Sequence, residues 1–499
     1  MKLLNEIISK LAVAIIYLLP VTATPQNQVV FSDYFRDSTL RFDYFHAGNA
    51  ESEHITPDQI YLQVPWAGNQ KNCLQPVELG MYKASLYDSA SNQLIFSKEY
   101  NSIFAEYKTT GPAIDGIQQT YHESVLIPYP KRSAMLVFEK RDRYNQLSEV
   151  YSTYIYPEKK HVYKENPGTN DCIVIPVVNN GNPHNCVDLA ILAEGYRASE
   201  LDSFKKDLNY FSNLLLSVEP YKSNALKFNV NGVFCPSAES GADEPQQDIY
   251  RDTRLNTSFN IFGTERYCLA TDNNSVRDVA AAVPYDALLI MINHNRYGGG
   301  GIYNFQTVFT SKSNWRDYVF LHEFGHCFAG LADEYFSSSV AYQDIYAPGV
   351  EPLEPNITAL PDPLNVKWKQ FLDPELTVPT DWNKTRYDSL QLQFGRLEKE
   401  RKMVMDSLRM AGTTESELEK MAYTYTKRLH DLYRERDGFF KNHPLKDKVG
   451  VYEGAGYLSK GMYRPTLNSL MHQFDADRLN YGPVNEHAIR KTIQYYTGE

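Results

Sequence analysis

Beyond its first 23 residues the chain has no apolar run of the roughly 20 residues that a membrane-spanning helix requires. Positive charge is also in short supply. Fifty Lys and Arg stand against 61 Asp and Glu, a formal net charge of -11 with no long basic run, so nucleic acid, whose phosphates need a basic surface, is not an expected partner. Glycine and proline, 27 and 26 of 499 residues, are too sparse for a collagen-like or low-complexity chain. No CxxC pair occurs, which argues against a zinc ribbon. The glycine run Gly298 to Gly301 is not followed by Lys-Ser/Thr and opens no helix, so it reads as a flexible loop or a close backbone approach, not a phosphate cradle. What is present is the balance of a chain that buries cores: 42% hydrophobic, 13% aromatic and 22% charged residues. At roughly 100 to 200 residues per domain the length predicts two to four domains.

Residues 1–23 read as a secretory signal. Lys2 and Lys10 flank the start, Leu11 to Val21 form an apolar run broken by Pro20, and Val21-Thr22-Ala23 supply small residues for cleavage. A membrane anchor is disfavoured because the run is too short, so an exported chain (periplasmic, cell-surface or secreted) without stable membrane insertion is expected. Six cysteines (Cys73, Cys172, Cys186, Cys235, Cys268 and Cys327) are an even number in such a chain. One bridge, Cys235 to Cys268, is expected, with buried free thiols as the alternative.

Residues 24–165 alternate apolar and polar positions in short runs, as in Gln59 to Val64, Leu94 to Phe96, Ala134 to Phe138 and Tyr151 to Tyr156, with turn formers between them. This predicts an all-β sandwich that supports its neighbour or binds sugar or protein. From 166 to 499 the pattern becomes α/β. Val187 to Leu192, Phe228 to Phe234, Ala287 to Ile292 and Ile302 to Phe309 read as strands, and Ser199 is placed to cap a helix whose buried face is Leu201, Phe204, Leu208, Phe211 and Leu215. Within about 381–441, apolar residues from Leu390 to Leu432 recur at helical spacing among many charges. They predict a helical hairpin inserted into the domain, a solvated appendage or an arm over the cleft.

The chemistry concentrates in Asn314 to Gly330, a stretch that Asn314 can cap and Gly330 can end, and which contains His322-Glu323-Phe324-Gly325-His326. On a helix, residues four apart share a face, so His322 and His326 can offer two imidazole nitrogens to one ion with Glu323 beside it as general base. A catalytic zinc needs a third protein ligand and an open position. Asp333 lies three residues beyond Gly330, the glycine-to-ligand offset of metzincins, and Glu334 is the alternative. Asn468-Ser469-Leu470-Met471-His472 is similar to a methionine turn beneath such a metal, although far downstream, and His472 is not assigned as a ligand. Tyr335, Tyr463 and Arg464 are candidates to stabilise an oxyanion.

These residues, with Asp188 to Tyr196, Ser240-Gly241-Ala242-Asp243, Tyr297-Gly298-Gly299, Tyr452 to Ala455 and Tyr481 to Asn485, together resemble the bacterial IgA peptidase family of secreted zinc metallopeptidases, over nearly the whole chain after the leader. The resemblance implies an N-terminal all-β domain, a metzincin-like zincin domain, a zinc ion and hydrolysis of peptide bonds in proteins or peptides, IgA-like glycoproteins among them. The rival reading is an exported protein- or glycan-binding module with a residual zincin fold, against which the intact His-Glu-His set argues.

Overall fold

The computed structural model describes residues 29–499 except 64, 160–162, 166–170, 337–344 and 474–478. The leader expected at residues 1–23 lies outside the described residues, as does the expected start of the second region at 166. Among the described residues no helix is long and apolar enough to cross a membrane.

Eight strands come first: β1 (Phe35–Gly48), β2 (Glu53–Gln63), β3 (Tyr82–Asp88), β4 (Leu94–Tyr100), β5 (Gln119–Pro130), β6 (Ala134–Arg141), β7 (Leu147–Ile155) and β8 (Tyr163–Glu165). They form two four-stranded sheets ordered β5-β1-β2-β8 and β4-β3-β6-β7, antiparallel except where β8 joins β2. Leu40, Phe42 and Ile127 from one sheet and Leu86, Phe96 and Phe138 from the other share a single core. The period-two alternation thus becomes two sheets packed face to face.

The second region is built on β9 (Ile173–Val178), β10 (Val187–Glu194), β11 (Phe228–Phe234), the two-residue strands β12 (Thr257–Ser258) and β13 (Leu269–Ala270), β14 (Ala287–Ile292), β15 (Gly299–Ile302) and β16 (Gln306–Thr310). Its main sheet has the order β15-β16-β14-β10-β11-β9, with the four inner strands parallel and an antiparallel strand at each edge. Its principal helices are α1 (Leu201–Leu215), α2 (Asn273–Ala280), α3 (Arg316–Ala329), α4 (Lys384–Met410), α5 (Glu415–Lys441) and α6 (Pro483–Thr497). Strands β10 and β14 are buried along their whole length because both faces are covered. The apolar faces of α1, α3 and α6 cover one side through Phe211, Phe320, Phe324 and Ile489. The other side receives Val276 of α2 and Ile103 of the N-terminal region. Helices α4 and α5 form the expected hairpin, closed by Leu397, Tyr425 and Leu429. A last hairpin, β17 (Tyr452–Ala455) and β18 (Leu458–Arg464), precedes α6.

Four local expectations are corrected. The disulfide joins Cys172 to Cys235, and Cys268 is a buried free thiol. The reason is register: β9 and β11 run antiparallel with Ile173 opposite Phe234, which sets their neighbours side by side across 63 residues of sequence. Ser199 does not cap α1; the chain enters through a 3-10 turn, and Glu200 accepts from the Arg197 N–H at 2.9 Å. Asn314 does not cap α3, where Ser313 Oγ accepts from the Trp315 N–H at 3.2 Å. The single strand expected at Ile302 to Phe309 is instead a hairpin of β15 and β16 that turns at Asn304, and most of the glycine run is itself strand.

The two regions are closely joined. Arg41, fully buried, pairs with Asp43 at 2.9 Å and reaches Asp278 of α2 at 2.7 Å, and Asn101 N–H donates to Tyr303 O at 2.9 Å. Within the second region two acids are buried together: Asp188 N–H donates to Asp286 Oδ2, and Asn229 Nδ2 donates to Asp188 Oδ1, both at 2.9 Å. Burial pushes Asp188 up to about 7 against the opposing Asn229 hydrogen bond, and burial followed by the charge of Asp188 pushes Asp286 well above the usual carboxylate range. An unfolded aspartate titrates near about 3.9, so the folded chain holds extra protons between about pH 4 and 7 and loses stability as pH rises through that window. Asp188→Asn is therefore expected to flatten the fall in urea midpoint between about pH 5 and 7. Equal slopes in parent and variant would contradict this account.

Candidate metal centre

Helix α3 runs against the edge strand β15, and glycines on that strand allow the contact. A Cβ at Gly301 would sit 2.1 Å from Glu323 O, so only glycine lets the strand lie flush on the helix. Helix α3 stops at Gly330, which adopts φ +60 and donates to His326 O at 3.0 Å. From there the chain turns back across the helix and brings Asp333 over the two histidines.

His322 Nε2 and His326 Nε2 stand 3.1 Å apart, and Asp333 Oδ1 lies 3.0 and 3.4 Å from them. Among the described residues these three form the only group of His, Cys, Asp and Glu arranged to hold an ion. At zinc-to-ligand distances of about 2.0 to 2.1 Å, the corners of a tetrahedron are about 3.3 Å apart, close to the observed triangle. The hydrogen bonding behind the rings supports the same fit. His322 Nδ1 donates to Leu470 O at 2.8 Å and His326 Nδ1 donates to Leu331 O at 2.6 Å. Carbonyls only accept, so in the neutral rings both Nε2 atoms present lone pairs to each other, an arrangement that a cation relieves. Asp333 Oδ1 is buried and has no hydrogen-bond partner. The donor set therefore fits a divalent ion of zinc type.

Glu334, the alternative, turns away. Fully buried, it accepts from Asn485 Nδ2 at 2.8 Å, Asn356 Nδ2 at 3.0 Å and Ser469 Oγ at 2.7 Å, while its N–H donates to Met471 O at 2.8 Å. It ties the loop after α3 to the segment around Met471. That methionine is buried below the helix, and a Cβ at Gly325 would approach its Sδ to 3.0 Å, which accounts for glycine inside the helix. His472 points away into a ring cluster, 5.2 Å from Phe440 and 6.4 Å from Tyr387, with Nδ1 3.2 Å from Asn468 Oδ1.

Glu323, half-buried, lines the same open cleft as the three ligand candidates. Of the expected oxyanion candidates only Tyr335 is there. Arg464 is fully buried and donates to the carbonyls of Gly454 and Leu467, and Tyr463 pairs with Thr358 through its backbone; neither lines the cleft. Sequence reasoning missed Arg266 and Tyr457, which do line it, and also missed that Leu79, Met81, Lys108 and Arg143 of the N-terminal region form part of its wall. No spacing signal links these positions to the zinc segment.

Residues 175–493 match the sequence profile of the IgA Peptidase M64 family. The chain belongs to that family. Residues 30–152 match a second profile, the Peptidase M64 N-terminus, which covers most of the two-sheet region. No curated protein matches the chain. Membership makes this chain a peptidase of a metallopeptidase family, acting on proteins or peptides, and the His322, His326 and Asp333 cluster is a site where its metal can be held.

Proposed function

We propose that the protein is an exported zinc endopeptidase of metzincin-like fold in which His322, His326 and Asp333 hold the ion and Glu323 is the general base. The observation that carries the reading is the convergence of three ligand atoms, one of them buried without a hydrogen-bond partner, beside a carboxylate in an open cleft. Bound there, zinc would supply Lewis acidity, acidifying water and polarising a carbonyl. Glu323 takes the proton from the attacking water and delivers it to the leaving amine. The Arg266 guanidinium faces the Tyr335 phenol. A guanidinium only donates, so the phenol hydrogen remains available to a developing oxyanion. Along β15, Gly299 directs its N–H and C=O outward, to Arg266 O and the Cys268 N–H. By strand alternation Gly301 does the same two residues on, which gives an extended substrate a backbone donor and acceptor beside Glu323. IgA-like glycoproteins are among the candidate substrates. Export agrees with the leader-like start and with a disulfide, which suits an oxidising compartment.

The test is cleavage of a mixed peptide library by the purified chain loaded with zinc. Cleavage at a reproducible side-chain preference is expected, lost on chelation and restored by zinc. A zinc-loaded, folded chain that cleaves neither peptides nor unfolded proteins would overturn the proposal.

A further inference from the structure

In the β17–β18 hairpin Ala455 pairs with Leu458, so Gly456 and Tyr457 are the two central residues of the connecting turn. Both have positive φ, +55 and +64. Two-residue turns of this hand favour glycine or asparagine, because an L side chain in the left-handed region costs about 1 kcal/mol or more. A tyrosine there is held against its backbone preference, and such outliers gather where function requires them.

Its contacts show what it serves. Gly456 N–H donates to Asp333 O at 2.9 Å, and Tyr457 N–H donates to Tyr335 O at 3.0 Å. The turn is thereby fastened to the loop that carries the carboxylate. The Tyr457 hydroxyl donates to Asp333 Oδ2, and its ring lies edge-on to Tyr335 at 5.5 Å. Asp333 Oδ1, with no hydrogen-bond partner, faces the two histidines.

We propose that Tyr457 is a positioning residue: its hydroxyl secures the outer oxygen of Asp333, so that the inner oxygen alone is presented to the ion. The inference rests on the metal-centre reading above. A carboxylate with a fixed donor on one oxygen cannot swing freely between one-oxygen and two-oxygen contact, and the rotational freedom lost on binding is already spent in the folded chain. Hydrogen bonds of this outer kind typically change metal affinity by about 10- to 100-fold.

Tyr457→Phe removes only the O–H and keeps the ring, the turn and both backbone hydrogen bonds. Zinc affinity, measured by competition with a chromophoric chelator, is expected to weaken by about 10- to 100-fold, with the thermal midpoint of the metal-free chain little changed. The visible spectrum of the cobalt-loaded variant should shift as the carboxylate changes its mode of contact. Added to Asp333→Ala, the same substitution should cost nothing further, because its partner has gone. Three results would overturn the inference: equal affinity in parent and Tyr457→Phe, an equal loss in the Asp333→Ala background, or a metal-free midpoint that falls in step with affinity, the mark of a merely structural tyrosine. A folded parent that holds no zinc overturns the metal-centre reading itself, and this inference with it.

Discussion

Glu323→Gln is expected to lower kcat by roughly 10² to 10⁴ while zinc content and KM stay close to those of the parent. The substitution preserves shape and replaces a proton acceptor with an amide that cannot take the water's proton. The ligand candidates are untouched: His322 and His326 keep their hydrogen bonds to Leu470 O and Leu331 O, and Asp333 keeps Tyr457. Loss of turnover with metal retained therefore separates proton transfer from site assembly. Steady-state kinetics beside a metal assay make the measurement. Turnover within about tenfold of the parent would remove Glu323 from the role of base.

Stripping the metal is expected to abolish turnover and to lower the thermal midpoint by about 5 °C or more, and zinc should restore both. Ligand present at about a thousand times its dissociation constant adds about 4 kcal/mol of stability, and in domains of a few hundred residues each kcal/mol moves the midpoint by about 2 to 4 °C. The direction follows from the triangle of 3.0, 3.1 and 3.4 Å between Asp333 Oδ1 and the two Nε2 atoms, which brings lone pairs together and suits a cation at its centre. Scanning calorimetry with and without chelator reads the shift. His326→Leu should resemble the stripped protein and gain nothing from added zinc. A chelated chain with unchanged midpoint and turnover would refute the metal centre.

How far the sequence carried depended on the range of each interaction. Alternation along Ala134 to Phe138 and helical spacing from Leu201 to Leu215 report local burial, so those elements were legible. The His322 to His326 spacing is also local, and the step from Gly330 to Asp333 is short enough to read. What turns Glu334 away from the histidines lies far along the chain, since Ser469 and Asn485 occupy its carboxylate. The disulfide depends on strand register, which spacing does not encode. Placing Tyr463 and Arg464 near the chemistry failed for a related reason: alternation in β18 sends Arg464 inward against Trp382 and the Gly454 and Leu467 carbonyls, while Tyr457 in the turn before β18 reaches the cleft. The N-terminal wall of the cleft was invisible because domain docking leaves no periodic trace in either partner.

The carbonyl that fixes His322 belongs to Leu470, 148 residues further along the chain. Glu334, which anchors the Asp333 loop, waits for Ser469 and Asn485 in the same way. During synthesis the chain emerges with His322 long before Leu470, whose carbonyl orients it. A partly made or truncated molecule ending short of Leu470 carries His322 without the carbonyl that aligns it. The aligned arrangement of His322 and the Asp333 loop is therefore among the last features the growing polypeptide acquires.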